Sequence, residues 1–416
     1  MKILHFADLH YNDKDHDEIE RCVDSMIEDA ALLKPDVILC SGDITDSQNL
    51  KLDSRSAKTI CRQFSLLADI APVAVVVGTP SHDGKSSEIL RYVRGRHNIY
   101  VSEKPEQIYL SDGRLHLAVP NVAHELMEAI ITQIPAPTKQ FIHGMIGAES
   151  GIENMDVAVS DGMATIIGAF GLAAEYASPF IPHIVNGHFQ VGGAYISDTQ
   201  QLIGRDIEIS PDQLEMANAD LICLGHIHKS QVIQKNIFYS GSIFHKDFGE
   251  TDAKGFYIHE ITPVELDEFF IGSKFLTVPA TQKITVKYDF TVSPGDTAEL
   301  DNILYSISPE EVSGADIKVD FQIWHDQTFP GKDSIINLYK SGGAREVVVN
   351  ITRVPRETVR AAKVLELQTL IDKIDEMAAL RNESIDQEIL KKAEILETTD
   401  SDGVLKLAVS MAGGAK

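Results

Sequence analysis

Residues 3–7 read Ile-Leu-His-Phe-Ala, and the next three are Asp8-Leu9-His10. A short apolar run that ends abruptly in a carboxylate and an imidazole reads as a buried strand emptying into a polar turn. The pattern recurs. Val37–Cys40 leads to Gly42-Asp43, and Val73–Val77 leads to Gly78-Thr79-Pro80-Ser81-His82-Asp83. Ile184–Val185 leads to Gly187-His188, and Leu221–Leu224 leads to Gly225-His226-Ile227-His228. Between the first of these runs the spacing changes to that of helices. Ile19, Cys22, Val23, Met26, Ala30 and Leu33 form one apolar stripe that Pro35 stops, and Ile60, Phe64 and Leu67 do the same before Pro72. Strand, helix, strand at this rhythm predicts an α/β layered domain.

Further along, the region from Glu125 to Ser178 is rich in Ala, Gly and Met, and its helices are placed only loosely. After Ile261 the pattern changes. Ile284, Val286, Tyr288 and Phe290 alternate with Lys283, Thr285, Lys287 and Asp289, as on a strand with one wet face. A Ser293–Asp296 turn and a helical stretch around Leu300, Leu304 and Ile307 follow. A second alternating run (Ile317, Val319, Phe321, Ile323), a helix near Ile336 and Tyr339, and a strand over Glu346–Val354 complete a separate small α/β domain. From Arg356 strand signals disappear. Val364, Leu367, Ile371, Ile374 and Ala378 form a helical stripe, and Ser384 with Gln387 reads as a capping box for a second helix through Ile385, Ile389 and Leu396. These stripes suit packing onto the body and docking a partner equally well.

The chain has 416 residues, 44% of them apolar, enough for two or three domains. Lys and Arg number 37 against 62 Asp and Glu, a formal charge of -25. Such a mean field argues against general nucleic-acid coating and against anionic membranes, while leaving room for a local positive groove or a bound cation. No apolar stretch reaches the ~20 residues of a membrane span. MKILHFADLH carries no signal-peptide pattern. Cys22, Cys40, Cys61 and Cys223 follow no metal-ligand spacing and read as buried thiols, so a reducing cytoplasm is expected.

The strand ends carry the chemistry. In layered α/β proteins they converge on one edge of the sheet, where sites are built. Singly, each fragment has an ordinary reading: Gly-Asp is a turn, His82-Asp83 a cap, His188 a core histidine. Together they place carboxylates and imidazoles, the donors a divalent transition metal prefers, after five apolar strands, and no cysteine joins the set.

This series resembles the calcineurin-like metallophosphoesterases. The opening ILHFADLH, Gly42–Ser47 (GDITDS), Gly225–Gln231 (GHIHKSQ) and Tyr239–Phe256 (YSGSIFHKDFGETDAKGF) are similar to the SbcD-type nucleases of that superfamily, which work in double-strand-break repair. The resemblance is specific as far as Phe256. It implies a layered sandwich of two sheets flanked by helices, a nuclease domain over 1–270, an α/β capping domain over 281–355, and a helical tail over 356–416. The tail would grip an SMC-like ABC ATPase of the SbcC type. Also implied are a homodimer and hydrolysis of DNA with exonuclease and endonuclease modes. Two divalent ions, manganese in this family, would be held by Asp8, His10, Asp43 and His228 on one side and by Asp43, His188 and His226 on the other. Asp43 would bridge them, His82 would be the catalytic histidine, and Asp83 would orient it. The family places an Asn before that histidine as a ligand, whereas Ser81 stands here, so Ser81 or Thr79 is expected to fill the gap. The rival readings are a small-substrate phosphodiesterase or phosphatase with the same site, and a non-catalytic scaffold for the ATPase.

Overall fold

Side chains alternate across a strand, and in β1 (Lys2–Phe6) that alternation feeds two cores. Leu4 and Phe6 pack with residues of α1 (His16–Leu33) and α2 (Arg55–Ile70), while Ile3 packs against the opposite sheet. The computed structural model describes residues 1–117, 127–138, 155–196, 200, 207–265, 268–291, 312–329, 331–355, 364, 366–381, 384–399 and 403. Ser293–Asp296 and the stretch around Leu300–Ile307 lie outside them.

Among the described residues two large sheets face each other. The first has six strands in the order β15-β14-β1-β2-β3-β4: β2 is Val37–Cys40, β3 Val73–Val76, β4 Ile99–Ser102, β14 Gly255–Pro263 and β15 Phe269–Thr277. The second has seven, β12-β13-β11-β8-β7-β5-β6: β5 is Glu106–Ser111, β6 Arg114–Leu117, β7 Ala129–Ile134, β8 His183–His188, β11 Leu221–Gly225, β12 Gln231–Gln234 and β13 Ile237–Tyr239. Two short strands, β9 (Gln190–Val191) and β10 (Glu208–Ile209), pair separately. Strands β1 to β4 run parallel, as do β7, β8, β11 and β13.

Leu39, Ala74, Ile184, Leu221 and Tyr257 meet in the layer between the sheets. The outer face of the second sheet is covered by α3 (Met155–Ala177), a 23-residue helix in the Ala-rich region that periodicity placed only loosely, and by the short α4 (Pro211–Glu215). The two-sheet sandwich with flanking helices is therefore present. No described helix is long and apolar enough to cross a membrane.

A three-stranded sheet follows, β16 (Lys283–Asp289), β17 (Asp316–Trp324) and β18 (Glu346–Val354), with α5 (Lys332–Ser341). Lys283, expected on a wet face, is buried, and its ammonium donates to the Lys246 carbonyl and lies 6.0 Å and 5.9 Å from the Phe244 and Phe248 ring centroids. Glu18 of α1 accepts from the Thr281 N–H and hydroxyl, and its carboxylate pairs with Arg21 and Arg345.

By compactness the chain divides into two units. One holds Met1–Tyr288, Gly295–Phe321 and Pro330–Asn350, and the other holds Asp289–Pro294, Gln322–Phe329 and Ile351–Lys416. In the second, α6 (Leu370–Arg381) and α7 (Gln387–Thr398) form a helical pair. Asp386 caps α7 by accepting from Glu388 N–H, so the expected Ser384 capping box is displaced by two residues. Asp is as good a cap as Ser and stands closer to the apolar run.

Two outcomes follow from the interlayer core. Leu39→Ala, at a fully buried site, is expected to cost ~2–5 kcal/mol in urea unfolding, while Leu32→Ala, 81% exposed, stays within ~0.5 kcal/mol. Burial also holds the His259 imidazole down to about 3 from an ordinary 6.5. Above 6.5 both folded and unfolded chains are neutral there. Below it the unfolded chain takes the proton and the folded chain does not, so stability falls until pH reaches about 3. Between pH 7 and 5, His259→Phe is expected to lose less stability than the wild type, by on the order of 2 kcal/mol.

Candidate metal centre

Parallel pairing sends the C-terminal ends of β1, β2, β3, β8 and β11 out at adjoining edges of the two sheets. Cross-links between the turns hold them in place. Asp8 N–H donates to Gly42 O and His10 N–H to Asp43 O, both at 3.0 Å. From the second sheet, His226 N–H donates to the Asp8 carboxylate at 3.0 Å, and His188 Nδ1 lies 2.7 Å from Ser41 O. Beneath them Ser41 Oγ donates to Asn186 Oδ1, and Asn186 Nδ2 donates to Gln133 Oε1, a buried polar chain that crosses the interlayer.

The site's close approach also depends on glycine. A Cβ on Gly78 would sit 2.2 Å from both Asp43 N and Asp43 Oδ1, and one on Gly225 would sit 2.2 Å from Ser41 O. Any larger residue would push the strand ends apart.

The side chains converge. Asp8, His10 and His228 offer donor atoms within 4.8 Å of one another, and so do Asp8, Asp43 and His188. Two carboxylates therefore stand between the two sets of imidazoles. Asp8 belongs to both groups, and Asp43 Oδ2 is 3.8 Å from His10 Nε2 and 3.3 Å from His188 Nε2. The His226 ring crosses His188 edge-on, centroids 5.2 Å apart. All but His226 are buried.

His10 Nε2 and His228 Nε2 face each other at 3.0 Å, and the His228 Nδ1 is occupied by Glu250 Oε1 at 3.0 Å. Two ring nitrogens at that separation must share a proton or a cation. With two carboxylates beside them, this donor set fits divalent cations bound by oxygen and imidazole. The electrostatics separate the imidazoles. Burial drives His10 down to about 4 despite Asp46 and Asp43. Burial also opposes charge on His188, but Asp43 and Asp8 outweigh it and raise its pKa to about 9. Asp43 is held far below the ordinary carboxylate range by His188 and His10, against its burial.

His82 stands at the rim, its side chain 24% exposed and its ring edge-on to His10. The carboxylate beside it is Asp46, with Oδ1 3.6 Å from His82 Nδ1, 3.5 Å from His10 Nδ1 and 2.6 Å from Lys246 Nζ. Asp83, expected to orient His82, has another task. Its carboxylate accepts the N–H groups of Ile44, Thr45 and Gly78, pinning the turn after β2 to the turn after β3. Burial and then the Asp43 charge raise its pKa to about 6.

Thr79 and Ser81 also separate. Thr79 N–H donates to Asp43 Oδ1 at 2.6 Å, and its hydroxyl lies 3.2 Å from both Asp43 Oδ2 and His188 Nε2. Ser81 is exposed, its carbonyl accepting from Gln48 N–H. Sequence reasoning missed Asp46, Gln200, Glu250 and Lys254. Asp46, Glu250 and Lys254 lie inside the GDITDS and Tyr239–Phe256 segments, but the histidines they serve, His82 and His228, lie 22 or more residues away. Gln200 clamps the His226–His228 turn through His226 O and His228 N.

Besides a group of His10, Asp46 and His82 at the rim, a donor group of His5, Cys223 and His259 lies between the sheets. A divalent ion with one thiolate would leave net positive charge sealed in an apolar layer. The rings stack instead, His5 on His259 at 5.7 Å and Tyr257 on His259 at 5.3 Å.

A sandwich of this kind with this cluster at its edge defines a metal-dependent phosphoesterase. The calcineurin-like phosphoesterase family model matches residues 1–230, and the chain belongs to that family. It is 26% identical over 311 residues to the D component of the nuclease SbcCD from Escherichia coli K12, covering 69% of this chain and 70% of that protein. It is 27% identical over 282 residues to the corresponding SbcCD component from Staphylococcus saprophyticus, covering 66% and 69%.

The hydroxyl contacts generate a test. Thr79→Ala removes the group that spans Asp43 and His188 and is expected to weaken Mn2+ binding by calorimetry at least several-fold. Ser81→Ala should leave it unchanged.

Proposed function

We propose that the chain is an SbcD-type DNA nuclease, cleaving phosphodiesters as an exonuclease and an endonuclease in double-strand-break repair. The observation that carries this reading is the placement of Asp8 and Asp43 between His10–His228 and His188, which suits two cations a few ångströms apart. The first would be held by Asp8, His10, Asp43 and His228, the second by Asp43, His188 and His226, with Asp43 bridging and Thr79 lending its hydroxyl in preference to Ser81. Bound there, two divalent ions, manganese by family likeness, supply charge that neutralises a phosphodiester and acidifies water.

The chain's own residues do the rest. Asp8 and Asp43 would hold the cations, their carboxylates offsetting the positive charge. Glu250 and Ser41 O fix the rings of His228 and His188. His82, at the rim beside Asp46, is placed to give a proton to the departing sugar oxygen. Asp83 supports that geometry by pinning the turn that carries His82. The nuclease domain would run to residue 270 and a capping domain over 281–355. The tail over 356–416 would dock an SMC-like ABC ATPase of the SbcC type, the whole forming a homodimer. An apolar groove of about 380 Å³ between α6 and α7, lined by Leu370, Ile374, Met377, Ile385 and Ile389, supports the docking assignment.

The formal charge of -25 favours a second reading, a small-substrate phosphodiesterase with the same centre. Purified protein assayed with Mn2+ on linear duplex DNA, single-stranded DNA and bis(p-nitrophenyl) phosphate separates them. DNA cleavage is expected, and activity on the small ester alone would favour the second reading. His82→Ala should lower the rate by ~10²–10⁴ while leaving Mn2+ affinity intact. Truncation after Pro355 should spare small-ester cleavage and abolish ATPase binding, and a retained pull-down would reject the tail assignment.

A further inference from the structure

The segment between β13 and β14 supplies a charged pair beneath the metal cluster. Glu250 and Lys254 are 1% and 2% exposed. Glu250 Oε1 lies 3.0 Å from His228 Nδ1. Its other oxygen, Oε2, takes Lys254 Nζ at 2.9 Å, Lys246 N–H at 3.1 Å and the Ser242 hydroxyl at 3.4 Å. Lys254 Nζ reaches on to the His228 carbonyl at 3.0 Å and to Asp252 at 3.3 Å. One buried ion pair thus grips His228 at its ring and at its backbone.

An ion-paired carboxylate at Oε1 only accepts, so His228 Nδ1 must carry the proton. The lone pair is then at Nε2, which is the nitrogen that faces His10. Lys254 completes the arrangement. By neutralising Glu250 it lets the carboxylate orient the ring without a full uncompensated charge beside it.

We propose that Glu250, anchored by Lys254, is the positioning residue that locks His228 as its Nδ1–H tautomer and presents Nε2 to the metal cluster. The proposal rests on the reading of His228 as a metal ligand. Outer partners of this kind set ligand orientation and basicity, and losing one weakens metal binding about 10–100-fold.

Glu250→Gln is the informative change because it keeps the shape. Oε2 has several donors to satisfy, so the single amide oxygen stays there and the NH2 group turns to His228 Nδ1. A donor in that place forces the proton to Nε2 and caps the lone pair.

Long-range 1H–15N spectra of the metal-free protein read the tautomer directly, with the His228 signals assigned by their loss in His228→Asn. The wild type is expected to show Nδ1–H and Glu250→Gln Nε2–H, with Mn2+ affinity by calorimetry falling about 10–100-fold in protein whose spectrum shows it folded, although the urea midpoint also falls because Lys254 keeps only Asp252 as an anionic partner. An Nε2–H tautomer in the metal-free wild type overturns the proposal whether or not any variant folds. So does a folded Glu250→Gln that binds Mn2+ as tightly as wild type. Neither readout involves DNA, so failure of the nuclease reading registers separately, in the cleavage assay.

Discussion

The centre depends on backbone that L-residues avoid. Asp8, His10, Asp43 and His226 hold φ values of 55°, 46°, 52° and 93°, and each such residue costs of order 1 kcal/mol or more. The turns persist because the two sheets bind each other through a sealed apolar layer and because each turn's N–H groups are taken by its neighbour. Alternate residues after one strand share a face, so Asp8 with His10 and His226 with His228 enter the pocket from one turn each. Packing free energy from the sandwich is in this sense converted into ligand geometry.

The strand ends were legible in the amino-acid sequence because the signal is local: an apolar run, a small residue, a donor. Val37–Cys40 was found to its boundaries for that reason. β8 runs from His183 to His188, longer than Ile184–Val185, because His183 and Asn186 are polar yet buried, satisfied by Thr132 and Gln133. β7 escaped notice for the same cause, since Thr132 and Gln133 look like surface in a string of residues. The antiparallel β5, β6, β14 and β15 were not read as strands, although β5, β14 and β15 carry short apolar runs such as Ile108–Leu110, Phe256–Ile258 and Phe269–Ile271. Within the site, residue types announced the carboxylates and imidazoles that converge, but partner choice did not show. Asp83 next to His82 suggested an orienting pair. The fold instead spends that carboxylate on three amides and brings Asp46 to the histidine from another turn.

The acidic surface is consistent with how the basic residues are used. Arg55 and Arg62 pair with Asp17, Glu20 and Asp24 on the exposed faces of α1 and α2, and Lys318 pairs with Asp320. Such pairs add little stability, but they remove cations that a phosphate backbone would seek. On the proposed nuclease reading, ions bound at the strand ends would supply positive charge for a polyanionic substrate, and a screening electrolyte would assist approach over a distance of about 8 Å.

Glu18 has a mechanical consequence. A single carboxylate on α1 holds the segment entering β16 through Thr281, and it meets Arg345, whose guanidinium also clasps Asp316 at the start of β17. At this corner the entry to β16 is held by charge, beside the Lys283 and Thr285 contacts to the Lys246 and Phe248 carbonyls. An uncharged residue at position 18 would leave Thr281 without its carboxylate acceptor and Arg345 with Asp316 as its remaining clasp, loosening the way into β16.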